Sequence, residues 1–245
     1  MFLRWLFKVF PGEMLGGWSL VRPDLSLWIL VALASTGASL APGTAAGGLA
    51  PALAAIPLLL LLIVTVTVKF DAAARGVEAP WGDVFERFFA RVLLLLAASA
   101  ASLAMCVGAA IVTRAAVIIL MRNAEAMPLA SMVLGVIIYI TLLARFSFVP
   151  FLAVLDRHAD LELGGGKLAP LTRLVWPLLA SSRMTDGLRW RLAPYVVLLN
   201  LGSAVALLPP PVRIPFLLAW QFVQLTAQAV LFHHYRERRP FLTRQ

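Results

Sequence analysis

The chain reads as an all-α, polytopic transmembrane bundle of about six spans, and three observations predict it. The first is residues 130–156, ASMVLGVIIYITLLARFSFVPFLAVLD, a mostly apolar run. About 20 residues at 1.5 Å rise per residue cross the roughly 30 Å hydrocarbon core of a bilayer. The second is composition: 61% of residues are hydrophobic and 13% charged, with a mean hydropathy of +0.90. Soluble domains carry roughly 25% charged residues, so most of this surface is expected to face lipid. The third is the uneven placement of Lys and Arg along the chain.

Residues 1–23 read as an interfacial helix and a link. In MFLRWLFKVF, Arg4 and Lys8 share one helix face and apolar residues cover the rest, as in helices that lie on a membrane. A small-residue cleavage site of the signal-peptide kind does not follow Pro11. The rival reading makes residues 25–41 an uncleaved signal anchor. Residues 11–23, with Gly12, Gly16 and Gly17, read as a turn-rich link.

Residues 24–235 read as the six-span bundle and 236–245 as a basic cytoplasmic tail, all within one domain of 1–245. The first span covers 25–40, with Asp24 as N-cap after Pro23. It ends in APGTAAGG, which is uncharged turn chemistry. The second covers 49–70 and stops at Lys69 and Asp71. Pro80, Trp81 and Asp83 look like the entry to the next helix, with Phe85, Phe88 and Phe89 at the depth aromatic residues favour.

The third span covers 92–112. Along it Ala97, Ala101, Ala104 and Gly108 recur at helical spacing. Such a small-residue seam lets another helix approach closely, either inside the bundle or at a face shared with a second protein. Residues 115–121 either continue this helix or lie on the surface, being too short to span alone. The fourth span is 130–156.

The longest polar region, 156–191, follows. Its GGGK at 164–167 lacks the earlier Gly and the Ser or Thr after Lys that a phosphate loop requires. Residues 168–180, interrupted by Pro170 and Pro177, read as an interfacial or re-entrant piece. The fifth span covers 192–208 and the sixth 214–232.

With six spans and both termini cytoplasmic, the inner segments hold Arg4, Lys8, Lys69, Arg75, Arg87, Arg91, the basic residues of the long loop and those of the tail. The outer loops hold only Arg114, Arg122 and Arg213. The net charge of +9 is therefore assigned to anionic lipid headgroups rather than to nucleic acid. The single Cys106 excludes an internal disulfide.

Four segments carry a likeness: GWSLVRPDLSLW before the first span, RFSFVP in the fourth, LASSRMTDGLRWRL before the fifth, and LFHHYRERR after the sixth. Together they resemble a broad group of six-span bacterial inner-membrane proteins. The group includes the YciC-like proteins and the membrane domains attached to some glycerophosphodiester phosphodiesterases. The resemblance implies a helical bundle in a bacterial inner membrane. It brings no catalytic residues, and no segment here is of a size for the phosphodiesterase barrel.

Arg145 is the sharpest candidate for chemistry. An Arg deep in a span costs at least ~2.5 kcal/mol on insertion scales, so it needs a partner or water. Either it binds an anionic headgroup or a substrate carboxylate, or it caps carbonyls freed by Pro150, or it bonds Asn200 or a Gln of the sixth span. Gln221, Gln224 and Gln228 fall at i, i+3 and i+7 and form one polar stripe, which lines a cavity or glues helices together. With Arg145 and Asn200 they could complete one buried network. His158, His233 and His234 lie at helix ends and do not converge as a metal site. Met105 and Met121 lack a paired His for haem ligation. No cofactor is implied.

The expected function is that of a non-enzymatic accessory or scaffolding subunit of a larger inner-membrane assembly, with other membrane subunits as partners. The alternative is a transporter or lipid-handling protein with an anion site at Arg145.

Overall fold

The computed structural model describes residues 8–40, 49–120, 127–156, 169–201 and 209–241, and among them every regular element is helical. Five stretches are long and apolar enough to cross a membrane: Phe10–Ala34, Ile56–Arg75, Trp81–Leu120, Pro128–Leu155 and Val212–Arg238. The described elements are accordingly all helical, with apolar helices of the length a membrane protein needs. The expected fifth span, 192–208, is described only to residue 201. The chain forms two compact units, Met1–Val92 with Leu198–Pro240, and Leu93–Val197 with Phe241–Gln245.

In the first unit α1 (Phe10–Val21) occupies the stretch expected to be a turn-rich link. Pro11 sits in its first turn, where the missing N–H costs nothing. Gly17 serves packing rather than turning. A Cβ there would lie 2.7 Å from both the Thr226 carbonyl oxygen and Val230 Cγ2 of α9 (Pro210–Arg238). The interfacial helix expected over residues 1–10 lies almost wholly outside the described residues.

A short 3₁₀ turn, Arg22–Asp24, leads into α2 (Leu25–Leu40). The Leu27 N–H donates to Asp24 Oδ1 at 3.3 Å, as the N-cap expectation requires. Next, α3 (Leu49–Arg75) runs past the end expected at residue 70. It closes on Gly76 at φ 70°. The Gly76 N–H reaches Ala73 O and the Val77 N–H reaches Ala72 O, each at 3.1 Å, a Schellman closure.

Aromatic side chains from three helices fill this unit's core. Trp28 meets Phe70 at 5.0 Å between ring centroids, Phe70 meets Phe232 at 6.0 Å, and Phe232 meets Tyr235 at 6.0 Å. All four are buried. Arg236 Nη1 donates to the Ala74 carbonyl at 2.9 Å, so the basic end of α9 satisfies an orphan carbonyl in the last turn of α3. The segment expected as a tail from residue 236 thus begins inside a helix.

Helix α4 (Trp81–Leu120) starts at the expected entry and carries the chain into the second unit. Residues 115–120 continue it, which settles the choice left open by their length. In the second unit the Arg114 stem lies against Gly135 of α5 (Met127–Arg145), where a Cβ would be 2.8 Å from Arg114 Cγ. Then come α6 (Val149–Leu155), α7 (Ala169–Met184) and α8 (Arg189–Asn200). The expected interfacial or re-entrant piece is thus a helix with Pro177 inside it. Ala98, Val149 and Leu178 form one buried apolar cluster, with Ala101 and Phe146 packed on it, and Phe148, Leu152 and Tyr195 are buried in the same unit.

Candidate functional site

Arg145 ends α5, where the fourth apolar stretch breaks. Pro150 has no N–H to bond the residue 146 carbonyl, so the helix cannot run through. The chain instead makes a turn over residues 146–148, in which Val149 N–H reaches Phe146 O at 3.1 Å. A break at membrane depth is tolerated only where protein re-satisfies the freed backbone groups.

Helix α7 supplies those partners. Ser181 Oγ donates to the Arg145 carbonyl at 2.9 Å and accepts the Phe148 N–H at 3.2 Å. Thr185 Oγ1 reaches the same carbonyl at 3.1 Å. Ser182 Oγ accepts from Arg145 Nε at 2.5 Å. Ser181 and Thr185 are fully buried. Nearby, Trp176 Nε1 donates to the buried Asp156 carboxylate at 3.1 Å. The segments RFSFVP and SSRMTD are therefore two halves of one polar staple.

Hydroxyls, not the Arg145 side chain, cap the carbonyl at the break. The guanidinium is anchored through Nε while remaining half-buried. Among the described residues no hydrogen-bond or ion-pair partner takes its two terminal nitrogens. It belongs to the second unit, whereas Asn200 and the glutamines belong to the first.

Gln221, Gln224 and Gln228 are each half-buried on α9. Gln224 Nε2 donates to the Leu199 carbonyl at 2.6 Å, near the end of α8. An amide bonding a helix-end carbonyl satisfies one of the acceptors that a helix leaves open, which is the gluing role of a polar stripe. Asn200 is itself exposed.

The small-residue seam divides. Ala101 packs on that apolar cluster of the second unit, Ala97 and Ala104 are exposed, and a Cβ on Gly108 would meet nothing within 4 Å. Only 11% of the most apolar window of α4 is buried.

His234 is buried, with Nδ1 3.3 Å from Glu237 Oε2 and Nε2 3.7 Å from Glu13 Oε1. His233 Nε2 lies 3.3 Å from Glu237 Oε1. Among the described residues no three His, Cys, Asp or Glu side chains are placed to hold a metal. His158, Met121 and the GGGK segment lie outside the described residues.

Sequence reading missed Ser181, Ser182 and Thr185. Their signal was present: hydroxyls at i, i+1 and i+4 lie on one side of a helix, in a chain that needed to answer a proline break. It also took Gly17 for a turn residue.

No family model, no curated protein and no solved structure matches this chain. The likeness to the YciC-like group thus rests on the four quoted segments.

Proposed function

We propose that this protein is a non-enzymatic accessory or scaffolding subunit of a larger assembly in a bacterial inner membrane. In this reading it uses the small-residue face of α4 to seat a helix of another membrane subunit. The observation that carries the reading is the open part of the seam, Ala97, Ala104 and Gly108, on a helix with little of its apolar surface buried. Lipid offers helices no hydrophobic drive to associate, so close backbone approach over small residues is the main way a partner helix gains contact. Both termini are cytoplasmic in this reading, and the basic ends lie against anionic headgroups.

The test is mild-detergent purification of the native protein with mass spectrometry of what accompanies it. A stoichiometric membrane partner, lost from the Gly108→Leu variant while the chain itself stays folded, is the expected result. Purification without any stoichiometric partner would sink the proposal.

A second reading is favoured by one observation, the anchored guanidinium of Arg145 with its terminal nitrogens untaken among the described residues. It makes the protein a transporter or lipid handler with an anion site there. A specific anionic lipid retained by the wild type and lost in Arg145→Leu would favour it.

A further inference from the structure

A cleft of about 540 Å³ opens in the first unit between the α1–α2 junction, the end of α3 and the turn that follows it. That size falls within the range of small-ligand sites. Apolar walls come chiefly from Leu20, Leu27, Val77 and Trp28. Three charged side chains also line it: Lys69, Asp24 and Glu78.

Charges of opposite sign around one cleft usually neutralise each other, and here they do not. The Lys69 ammonium donates to the Ala79 carbonyl at 2.7 Å and stands 5.3 Å over the Trp81 ring, within cation–π range. It pairs with no carboxylate among the described residues. Asp24 spends Oδ1 on the Leu27 N–H and the Ser26 hydroxyl. Glu78 has no partner among the described residues. The indole N–H of Trp28, a wall residue 2% exposed, has no acceptor among them either.

The walls are set by backbone geometry. The Schellman closure at Gly76 turns the chain so that residues 77–80 form one side. That turn also offers the Ala79 carbonyl that fixes the ammonium. The site stays open without its charges collapsing onto each other.

We propose that this cleft binds a zwitterion carrying a primary ammonium and a phosphate, such as the headgroup of an aminophospholipid. One fixed cation and two carboxylates disfavour a plain anion. The phosphate would take the Lys69 ammonium, the ligand ammonium would take Glu78 and Asp24, and the apolar walls suit the start of the acyl chains. Charge-assisted bonds of this kind are roughly twice as strong as neutral ones. The inference is independent of partner docking, since the α4 seam lies in the other unit.

The experiment is a thermal-stability titration of the full chain in detergent with short-chain phosphatidylethanolamine, phosphatidylcholine and phosphatidylglycerol, and with free phosphoethanolamine. A ligand that binds only the folded state raises the melting temperature with concentration. Stabilisation by phosphatidylethanolamine well beyond the choline and glycerol headgroups is expected. Glu78→Gln, an exposed change that leaves the fold intact, should weaken it about tenfold, the scale of one charge-assisted bond. An equal response to free phosphoethanolamine would support the site but assign its ligand to solution rather than the bilayer. No stabilisation, equal stabilisation by all three lipids, or an unchanged affinity in Glu78→Gln would each overturn the proposal.

Discussion

The two units are held together by different means. In the first, rings interlock: Trp28, Phe70, Phe232 and Tyr235 fill the interior, and Gly17 lets α1 come within backbone contact of α9. The second also buries apolar side chains, among them Phe148, Leu152 and Tyr195, but there a line of hydroxyls on α7 closes the break between α5 and α6. Burial differs between windows within the first unit itself, where that of Phe10–Ala34 is 28% buried. The apolar window of Ile56–Arg75 is 44% buried and that of Val212–Arg238 39%, against 22% for Pro128–Leu155. Where apolar side chains have lipid as an alternative solvent, packing holds by shape and polar bonds hold by need. The ring cluster of the first unit shows the one, and the break at Arg145 in the second shows the other.

Five variants sharpen or break this contrast. Phe70→Ala should cost about 3–5 kcal/mol, because it empties the centre of the ring cluster. Thermal unfolding in detergent would show it, and a loss under 1 kcal/mol would mean that the rings do not hold the unit. Next, Gly17→Ala should cost about 1–3 kcal/mol through overpacking, with Gly108→Ala as its opposite. The latter meets open space and should be neutral or gain up to ~1 kcal/mol from helix propensity. A comparable loss at both glycines would contradict the close crossing at Gly17.

Ser181→Ala should cost on the order of 1–3 kcal/mol, the penalty for leaving a buried donor and acceptor unsatisfied. Hydrogen exchange localises this one: protection should fall at Phe148 while the amides around Phe70 keep theirs. Uniform loss of protection would argue against a separate staple. The smallest effect belongs to Arg75→Ala. Its ion pair with Asp71 at 2.8 Å involves a side chain 53% exposed, and such pairs are worth about 0–1 kcal/mol.

Much of the fold was legible because lipid imposes a simple rule on sequence. Long apolar runs bounded by charge marked α3, α4, α5 and α9, and Pro80, Trp81 and Asp83 marked the entry to α4. The α1 segment was misread because glycine has two uses. It loosens a chain in water, and it also admits a neighbouring backbone, and only the partner helix distinguishes the two. The helical state of residues 169–184 was obscured by Pro177, whose cost within a helix depends on neighbours that the local sequence does not name. At the candidate site, Arg145 and Pro150 stood out by chemistry. Ser181 and Thr185 did not, since serine and threonine are common and their partner lies more than thirty positions away. The stripe of glutamines was visible from spacing, but the Leu199 carbonyl that receives Gln224 offers no sequence signal at all.

Helix α4 is a rod of roughly 60 Å by its rise per residue, about twice the thickness of a bilayer's hydrocarbon layer. Its charges are not spread evenly. Asp83, Glu86, Arg87 and Arg91 crowd its beginning, then residues 92–113 carry none, and Arg114 ends the blank. The uncharged length is close to the thickness of that layer, with charges at either side. A rod of this pattern set across a bilayer gauges its own depth, because sliding by a turn would draw a charge into oil.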